Sequence, residues 1–528
     1  MFPLLLLGQI ILATLAYSKD DTDTTYALEI NGKAPSSAVD VPANFFSFGI
    51  ETAFFENFIT DLSENLVDSI GSRMSEPMII RVGGTSGDMV RVNESQAEAT
   101  ACVAGNNCPH SSKDTFSLGP SYFDGFKKFQ NAHMTFQAPM YPHSNSDNWL
   151  NHSMAYVRHA ANALGHDRIA GIALGNEPDY YEYGKEEYVS RALDIENKTI
   201  EMLGLSGEER RIFELGDIPD SVIQTRDNKN YGLANLLQGK LDNNGFGKFA
   251  AQHHYQIPGS QQVSGKEKLQ ELLMNHTAIT ERFPIIESSI KSTRANDDKI
   301  AFVLSEVGSA IGAAPVSFSR GFGAALWAAD FHLVSMSRGV KRVSNTMRPE
   351  STHSFWIPDN SGGQKTKGPA VQGIFIASPF ITDFVGNASL GKVVEVQVPG
   401  QPDLFSAYAM YNRESSKIER VALINLREWY PDLSSSRGRA IITLQIGSGG
   451  AHSATIRRMH ADKGSNAVGY DLGGYDNNVT WAGEQWTSKI DNGKGHFPRG
   501  LEEETVKVEN GTIDVTVPNS EAVIVSFE

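Results

Sequence analysis

The chain has 528 residues, 40% hydrophobic and 20% charged, which is enough to bury a large core and excludes a disordered or collagen-like polymer. Its formal net charge of −16 argues against a phosphate-backbone partner, so nucleic-acid binding is set aside.

From the N-terminus, MFPLLLLGQIILATLAYS is an apolar run of signal-peptide length that closes on small residues, with Ala16 or Ser18 at the cleavage point, although it lacks a basic leader. Residues 1–18 are therefore expected to be a secretory signal. No later segment stays apolar for the ~18 residues that a membrane span needs. The mature chain is expected to be secreted, extracellular and without a membrane partner. Residues 19–44 contain TYALEI (25–30), an alternating stretch expected to add a strand to a β domain formed much later in the chain.

From residue 45 onward short apolar runs recur: FFSFGI (45–50), MIIRV (78–82), HMTFQA (133–138), IAGIAL (169–174), RIFEL (211–215), KFAAQ (248–252), AFVLS (301–305) and VKRVSNT (340–346). Helical patterns separate several of them. After HMTFQA, for example, Leu150, Met154, Val157, Ala161 and Leu164 recur at steps of four and three, one face of an amphipathic helix. Strand then helix, repeated about eight times, is the signature of an α/β chain folded as a (β/α)8 TIM barrel, assigned here to residues 45–380. A doubly wound open sheet is the structural rival. Cys102 and Cys108 fall in one polar loop of this region and in an oxidising compartment most simply close a short disulfide.

After residue 380 the texture becomes alternating and β-rich, as in VVEVQV (393–398), LFSAYAMY (404–411), VALINL (421–426), AIITLQI (440–446), IDVTV (513–517) and AVIVSF (522–527). Residues 381–528 are read as an all-β sandwich. Seven Asn-x-Ser/Thr sequons, at Asn93, Asn151, Asn197, Asn275, Asn387, Asn478 and Asn510, fit a eukaryotic secretory route.

In a barrel of this kind the chemistry sits at the C-terminal ends of the strands. Glu177, in IALGNEPDYY, follows the fourth run, and Glu306, in FVLSEVGSA, follows the seventh. Two carboxyl groups flanking one bond are what glycoside hydrolysis needs: one protonates the leaving oxygen while the other attacks the anomeric carbon or activates water. Either glutamate alone reads as a surface or capping residue; their shared placement favours catalysis. Pro178 is expected to hold Glu177 in extended backbone. A serine-hydrolase elbow and a His-Glu-x-x-His helix are both missing from the sequence.

The GNEP ending of the fourth run, paired with Glu306, resembles the clan A retaining glycosidases. Together with RVGGTSGD (81–88), QHHYQI (252–257), LSEVGSAIGAAP (304–315) and NTMRPESTHSFW (345–356), it resembles the heparanase-like glycoside hydrolase family 79, in particular its secreted fungal β-glucuronidases. The resemblance covers nearly the whole mature chain. It implies that Glu177 is the acid/base and Glu306 the nucleophile, that Asn176 bonds the sugar 2-hydroxyl, and that Arg81 and Tyr255 position Glu306 and keep it ionised. Glu51 would be a sugar-binding carboxylate, with His254 and His353 as further substrate contacts. The resemblance implies no cofactor and no metal.

One departure bears on the sugar. The family places a tyrosine five positions after the nucleophile, and a backbone N–H two residues further on, against the uronate carboxylate; here those positions hold Ile311 and Ala313. The backbone donor of Ala313 is retained and the phenol is not. The expected activity is an exo-acting retaining β-glucuronidase, acting as a monomer on glucuronate or 4-O-methyl-glucuronate at the ends of glycans. The alternatives are a β-xylosidase or endo-acting heparanase-like hydrolase of the same clan, and a noncatalytic glycan-binding barrel.

Overall fold

A computed structural model describes residues 23–102, 116–141, 148–219, 231–257, 268–311, 316–349, 351–360, 367–386, 391–400, 403–447 and 451–528. The eight apolar runs become eight strands: β1 (Phe46–Glu51), β2 (Ile79–Gly83), β3 (His133–Ala138), β4 (Ile169–Leu174), β5 (Phe213–Ile218), β6 (Gly247–Ile257), β7 (Ala301–Ala310) and β8 (Val343–Met347). Each pairs in parallel with the next, and β8 closes on β1. The ring is closed, which rules out the open doubly wound sheet. The helix expected after β3 is present as Trp149–Leu164, burying Val157, Ala161 and Leu164.

Strands β6 and β7 run well past the apolar runs that announced them. KFAAQ continues as HHYQI and AFVLS as EVGSA, because inward residues such as His253, Tyr255 and Glu306 find polar partners at the end of the barrel while the backbone stays in the ladder. Polarity ended the runs in the sequence, but it does not end the strands.

The β domain has two sheets. The larger follows the path Val39–Val41, Gly391–Val396, Phe405–Asn412, Ile418–Asn425, Glu521–Phe527, Ser453–Ala461 and Val479–Trp481, with Glu503–Lys507 paired beside Ser453–Ala461. The smaller sets Thr24–Ile30 parallel to Arg439–Ile446, which is antiparallel to Thr512–Pro518. A TIM barrel with a C-terminal β sandwich, the fold class read from the sequence, is what is observed.

Successive side chains of a strand point to opposite faces, and the larger sheet uses both. Phe405, Ala407, Ala409 and Tyr411 pack against Leu28, Ile442 and Val515 inside the sandwich. Their neighbours Tyr408 and Met410 belong to the barrel's core, together with Val393, Ile424, Met459 and Ile524. The helix Phe322–Arg338, buried over most of its length, lies between the two domains. On it the Asp330 carboxylate receives His276 Nδ1 at 2.9 Å and the Tyr408 hydroxyl at 2.5 Å, while His276 Nε2 reaches Glu395 at 3.1 Å. Burial opposes a charge on His276, yet Asp330 and Glu395 outweigh it and push its pKa up to about 10. The helix Ala377–Val385 runs through the boundary expected at residue 380 and packs into this joint core.

Among the described residues no helix is long and apolar enough to cross a membrane. Cys108, Asn387, Ala313 and the signal segment 1–18 lie outside the described residues. Of the remaining sequons, Asn93, Asn151, Asn197 and Asn510 are exposed. Asn275 and Asn478 are half-buried, the first capping a helix by accepting from Ala278 N at 2.9 Å and the second accepting from Gln485.

Candidate active site

The C-terminal ends of the barrel strands converge on a cluster of carboxylates and cations. Glu306, the sixth residue of β7, is 8% exposed; its Oε1 accepts the Tyr255 hydroxyl at 2.5 Å and its Oε2 faces Arg81 Nη1 at 3.3 Å. Burial pushes the carboxyl up, but His253, Arg81, Arg348 and the Tyr255 hydroxyl together hold its pKa down at about 2. Glu306 is thus held anionic at neutral and mildly acidic pH.

Two features of local backbone bring this about. The β6–β7 register slips between Gln252 and His253, so that Gln252 faces Leu304 while His253 faces Glu306, leaving Ser305 as the extra residue of a bulge. Consecutive side chains can then serve one cluster: Ser305 Oγ donates to Asp217 while Glu306 meets Tyr255 and Arg81. Next along the pair, Tyr255 lies opposite Gly308, whose missing side chain leaves room for the tyrosine ring.

Glu177 sits beyond the end of β4 with its side chain 18% exposed. Its backbone is not extended but left-handed, φ 46° and ψ 61°. The expectation drawn from Pro178 is overturned because the fold supplies stronger constraints. Glu177 N–H donates to Asp217 O at 2.9 Å, its carbonyl accepts from Tyr180 N at 3.0 Å, and Pro178 opens the one-turn helix Pro178–Tyr180. A non-glycine residue in this region costs on the order of 1–3 kcal/mol, a strain that concentrates at functional sites.

Asn176, 3% exposed, has its Oδ1 fixed by Arg81 Nη2 at 2.8 Å, which orients the amide and leaves its nitrogen to donate. Its backbone N–H is shared between Asp88 Oδ2 at 3.2 Å and the Tyr181 hydroxyl at 2.9 Å. Asp88 also takes Gln137 Nε2 at 2.9 Å, Met140 N at 3.2 Å and the Tyr181 hydroxyl at 2.6 Å, tying together the turns after β2, β3 and β4. Burial dominates its hydrogen bonds and pushes its pKa up to about 7.

His254, expected at the site, is elsewhere: its ring stacks on Phe331 with centroids 4.7 Å apart. The histidine in the cluster is His253. Because β6 alternates, Tyr255 and His253 share the inner face and His254 takes the outer one. His253 Nδ1 lies 3.0 Å from Glu177 Oε1, and Nε2 lies 3.3 Å from Asp217 Oδ1. Only an imidazolium can donate to both. Burial opposes that charge, but Glu306, Asp217 and Glu177 outweigh it and push the His253 pKa up to about 10.

Asp217 was not anticipated either. RIFEL stops two residues short of it, and Gly216 (φ 95°) and Asp217 (φ 45°) form a kink within β5, where its register with β6 shifts. Fully buried, Asp217 accepts from Arg81 Nη2 and His253 Nε2, each at 3.3 Å. Burial pushes its carboxyl up, and Arg81 with His253 and Ser305 holds it below the usual range.

Glu51, at the end of β1, is 1% exposed and already engaged. Its Oε1 accepts Ser86 N–H at 2.7 Å and Ser86 Oγ–H at 2.6 Å, and its Oε2 accepts Arg348 Nη2 at 2.8 Å. The turn that allows this needs glycine at 84, whose φ is 95° and where a β-carbon would come within 2.6 Å of the Glu51 carboxyl carbon. His353 sits against Tyr255, rings 5.9 Å apart, with Nδ1 3.1 Å from Ala310 O. A carbonyl only accepts, so Nδ1 carries the hydrogen and Nε2 is a buried acceptor; burial, then Arg348, keep the ring neutral with its pKa near 4.

Residues 407–524 match the glycosyl hydrolase family 79 C-terminal beta domain. The chain is a glycoside hydrolase with a family 79 C-terminal beta domain. It is 26% identical to a β-glucuronidase of Aspergillus niger, covering 96% of this chain and 95% of that protein. It is 27% identical to a β-glucuronidase of Neurospora crassa, covering 98% and 99% respectively. The crystal structure of a 4-O-α-L-rhamnosyl-β-D-glucuronidase from Fusarium oxysporum in complex with Rha-GlcA superposes with a TM-score of 0.76 at 19% identity, covering 95% of this chain and all of that one. Similarity to β-glucuronidases thus extends over nearly the whole chain, and the family 79 model itself matches the β domain.

Proposed function

We propose that the protein is a secreted retaining β-glucuronidase in which Glu306 is the nucleophile and Glu177 the acid/base. The observation that carries this is the contrast between the two carboxyl groups. Glu306 is buried, anionic and aligned by Tyr255 and Arg81, so its lone pairs are ready to attack and need no base. Glu177 is partly open and touches a histidine through one oxygen, leaving the other for a leaving group or water.

In the first step Glu306 bonds to the anomeric carbon while Glu177 gives its proton to the departing oxygen. In the second, Glu177 takes a proton from water and the water oxygen displaces Glu306. Esterification removes the Glu306 charge, leaving His253 in contact with the Asp217 and Glu177 carboxyl groups when Glu177 must act as base. Asn176 holds the 2-hydroxyl through its amide nitrogen. The reading includes export by the N-terminal signal, glycans on the exposed sequons and action as a monomer on glucuronate-bearing glycans.

The test is stereochemical and covalent. Proton NMR of a turning-over aryl β-glucuronide should show the β-anomer of the sugar first. A 2-fluoro glucuronide with a good leaving group should leave its sugar on the peptide carrying Glu306. Initial release of the α-anomer, or labelling elsewhere, would overturn the assignment.

A further inference from the structure

Three cations serve the cluster among the described residues, and two of them are buried among its polar groups. Arg81 is 3% exposed and spans Asn176, Asp217 and Glu306; His253 is 1% exposed with both ring nitrogens on carboxylates. Arg348, directly after β8, differs. Its side chain is 29% exposed, and among the described residues its ion pair uses one nitrogen, Nη2, on Glu51. A guanidinium has five N–H donors in a planar fork suited to a carboxylate, so this one, anchored at one corner and partly exposed, has further donors to offer.

The anchor is itself built. Both donors of Ser86 saturate one Glu51 oxygen, glycine at 84 makes room for the carboxyl group, and the other oxygen is left to aim Arg348. Arg348 stands near enough to Glu306, Tyr255 and His353 for its charge to act on all three. His353, neutral and with Nε2 as a buried acceptor, cannot receive an anion and suits a hydroxyl instead. The charge count agrees: Glu51, Glu177, Asp217 and Glu306 face Arg81, Arg348 and His253, so a protonated Glu177 leaves the cluster neutral and an anionic sugar meets no net repulsion.

Resting on the glycosidase reading above, we propose that Arg348 receives the carboxylate of the uronic acid whose anomeric carbon reacts, with Glu51 as the residue that positions it. Arg348 thereby makes the enzyme selective for an acidic sugar over a neutral one of the same shape.

The experiment compares an aryl β-glucuronide with its methyl ester, which keeps the shape and removes the charge, and with the aryl β-xyloside. Wild type should prefer the acid. Arg348→Gln should lower kcat/KM for the acid about thirtyfold or more, the effect of removing one partner of a close charge pair, while the ester and xyloside change only a few-fold. Arg348→Lys should recover part of the loss. An equal loss on acid and ester would make Arg348 a purely structural partner of Glu51 and overturn the proposal, with the glycosidase reading intact. Equal wild-type rates on acid and ester would overturn it without any variant, should Arg348→Gln fail to fold. Wild type inactive on all three substrates would instead remove the reading on which it rests.

Discussion

Gly308 faces Tyr255 across the β6–β7 pair so closely that a β-carbon at 308 would come within 2.8 Å of the tyrosine ring. The hydroxyl of that ring is the donor that reaches Glu306 at 2.5 Å. Gly308→Ala should therefore act through Glu306, reproducing the effect of Tyr255→Phe. Losing a hydrogen bond to an ionised group costs roughly 1.5–3 kcal/mol, or about one to two units of pKa. Because the donor favours the charged form, both variants should move the acid limb of the kcat/KM profile upward from its position near the Glu306 pKa of about 2. An acid limb that stays in place in both would separate Tyr255 from the nucleophile.

The two glutamates should fail differently. Glu306→Gln should abolish turnover of every glycoside. Glu177→Gln should cost about 10²–10⁴-fold on a poor leaving group and far less on a dinitrophenyl glycoside, which departs without a proton. Comparable losses of kcat/KM on both substrates would count against Glu177 as the acid.

His253 should contribute to stability as well as to the site. Its folded pKa, about 10, lies above its ordinary value of 6.5, so its contribution is fully present below about pH 6.5 and is lost as pH rises through about 10. His253→Gln leaves Asp217 and Glu177 without their shared donor and should destabilise the fold by about 3–5 kcal/mol near pH 6. In thermal melts the gap from wild type should narrow as pH approaches 10; a gap independent of pH would mean that the imidazole is uncharged.

Asp330→Asn tests the joint between the domains. The change leaves His276 with one carboxylate instead of two in a buried setting and should cost about 3–5 kcal/mol. Calorimetry of wild type and variant should each show one transition, displaced to lower temperature in the variant, since barrel and β domain share a core. Two resolved transitions would contradict that sharing.

The barrel was legible because each strand is an apolar run ending at a polar residue, and two of the polar endings, Glu177 and Glu306, are the residues proposed for the chemistry. Reading failed where period or backbone carried the information. His254 was chosen over His253, although the two-residue period from Tyr255 points to His253. Asp217 was hidden because RIFEL loses its apolar character before β5 ends, and the kink that places it needs a positive φ that composition does not announce. Arg348 lies within NTMRPESTHSFW, but its partner Glu51 is 297 residues away, a relationship that exists only once β8 closes on β1. Glu177 shows the opposite failure: a sound local rule for the residue before proline yielded to the hydrogen bond from its backbone to Asp217.

The sheet that faces both ways limits how this molecule can be taken apart. Val393, Tyr408, Met410, Ile424, Met459 and Ile524 lie on the β domain but fill the barrel's side of the interface. Exposing six large apolar side chains at roughly 1.5–3 kcal/mol each costs on the order of 10 kcal/mol, comparable to the whole stability of an ordinary fold, about 5–15 kcal/mol. A barrel expressed without residues beyond 390 would lack these side chains, bare the apolar surface they cover and aggregate before it could fold. The β domain is therefore no detachable module that could be exchanged for another. Any chimera that grafts this catalytic end onto a different partner has to cut outside the entire chain from Thr24 to Phe527, whose first and last strands both belong to the β domain.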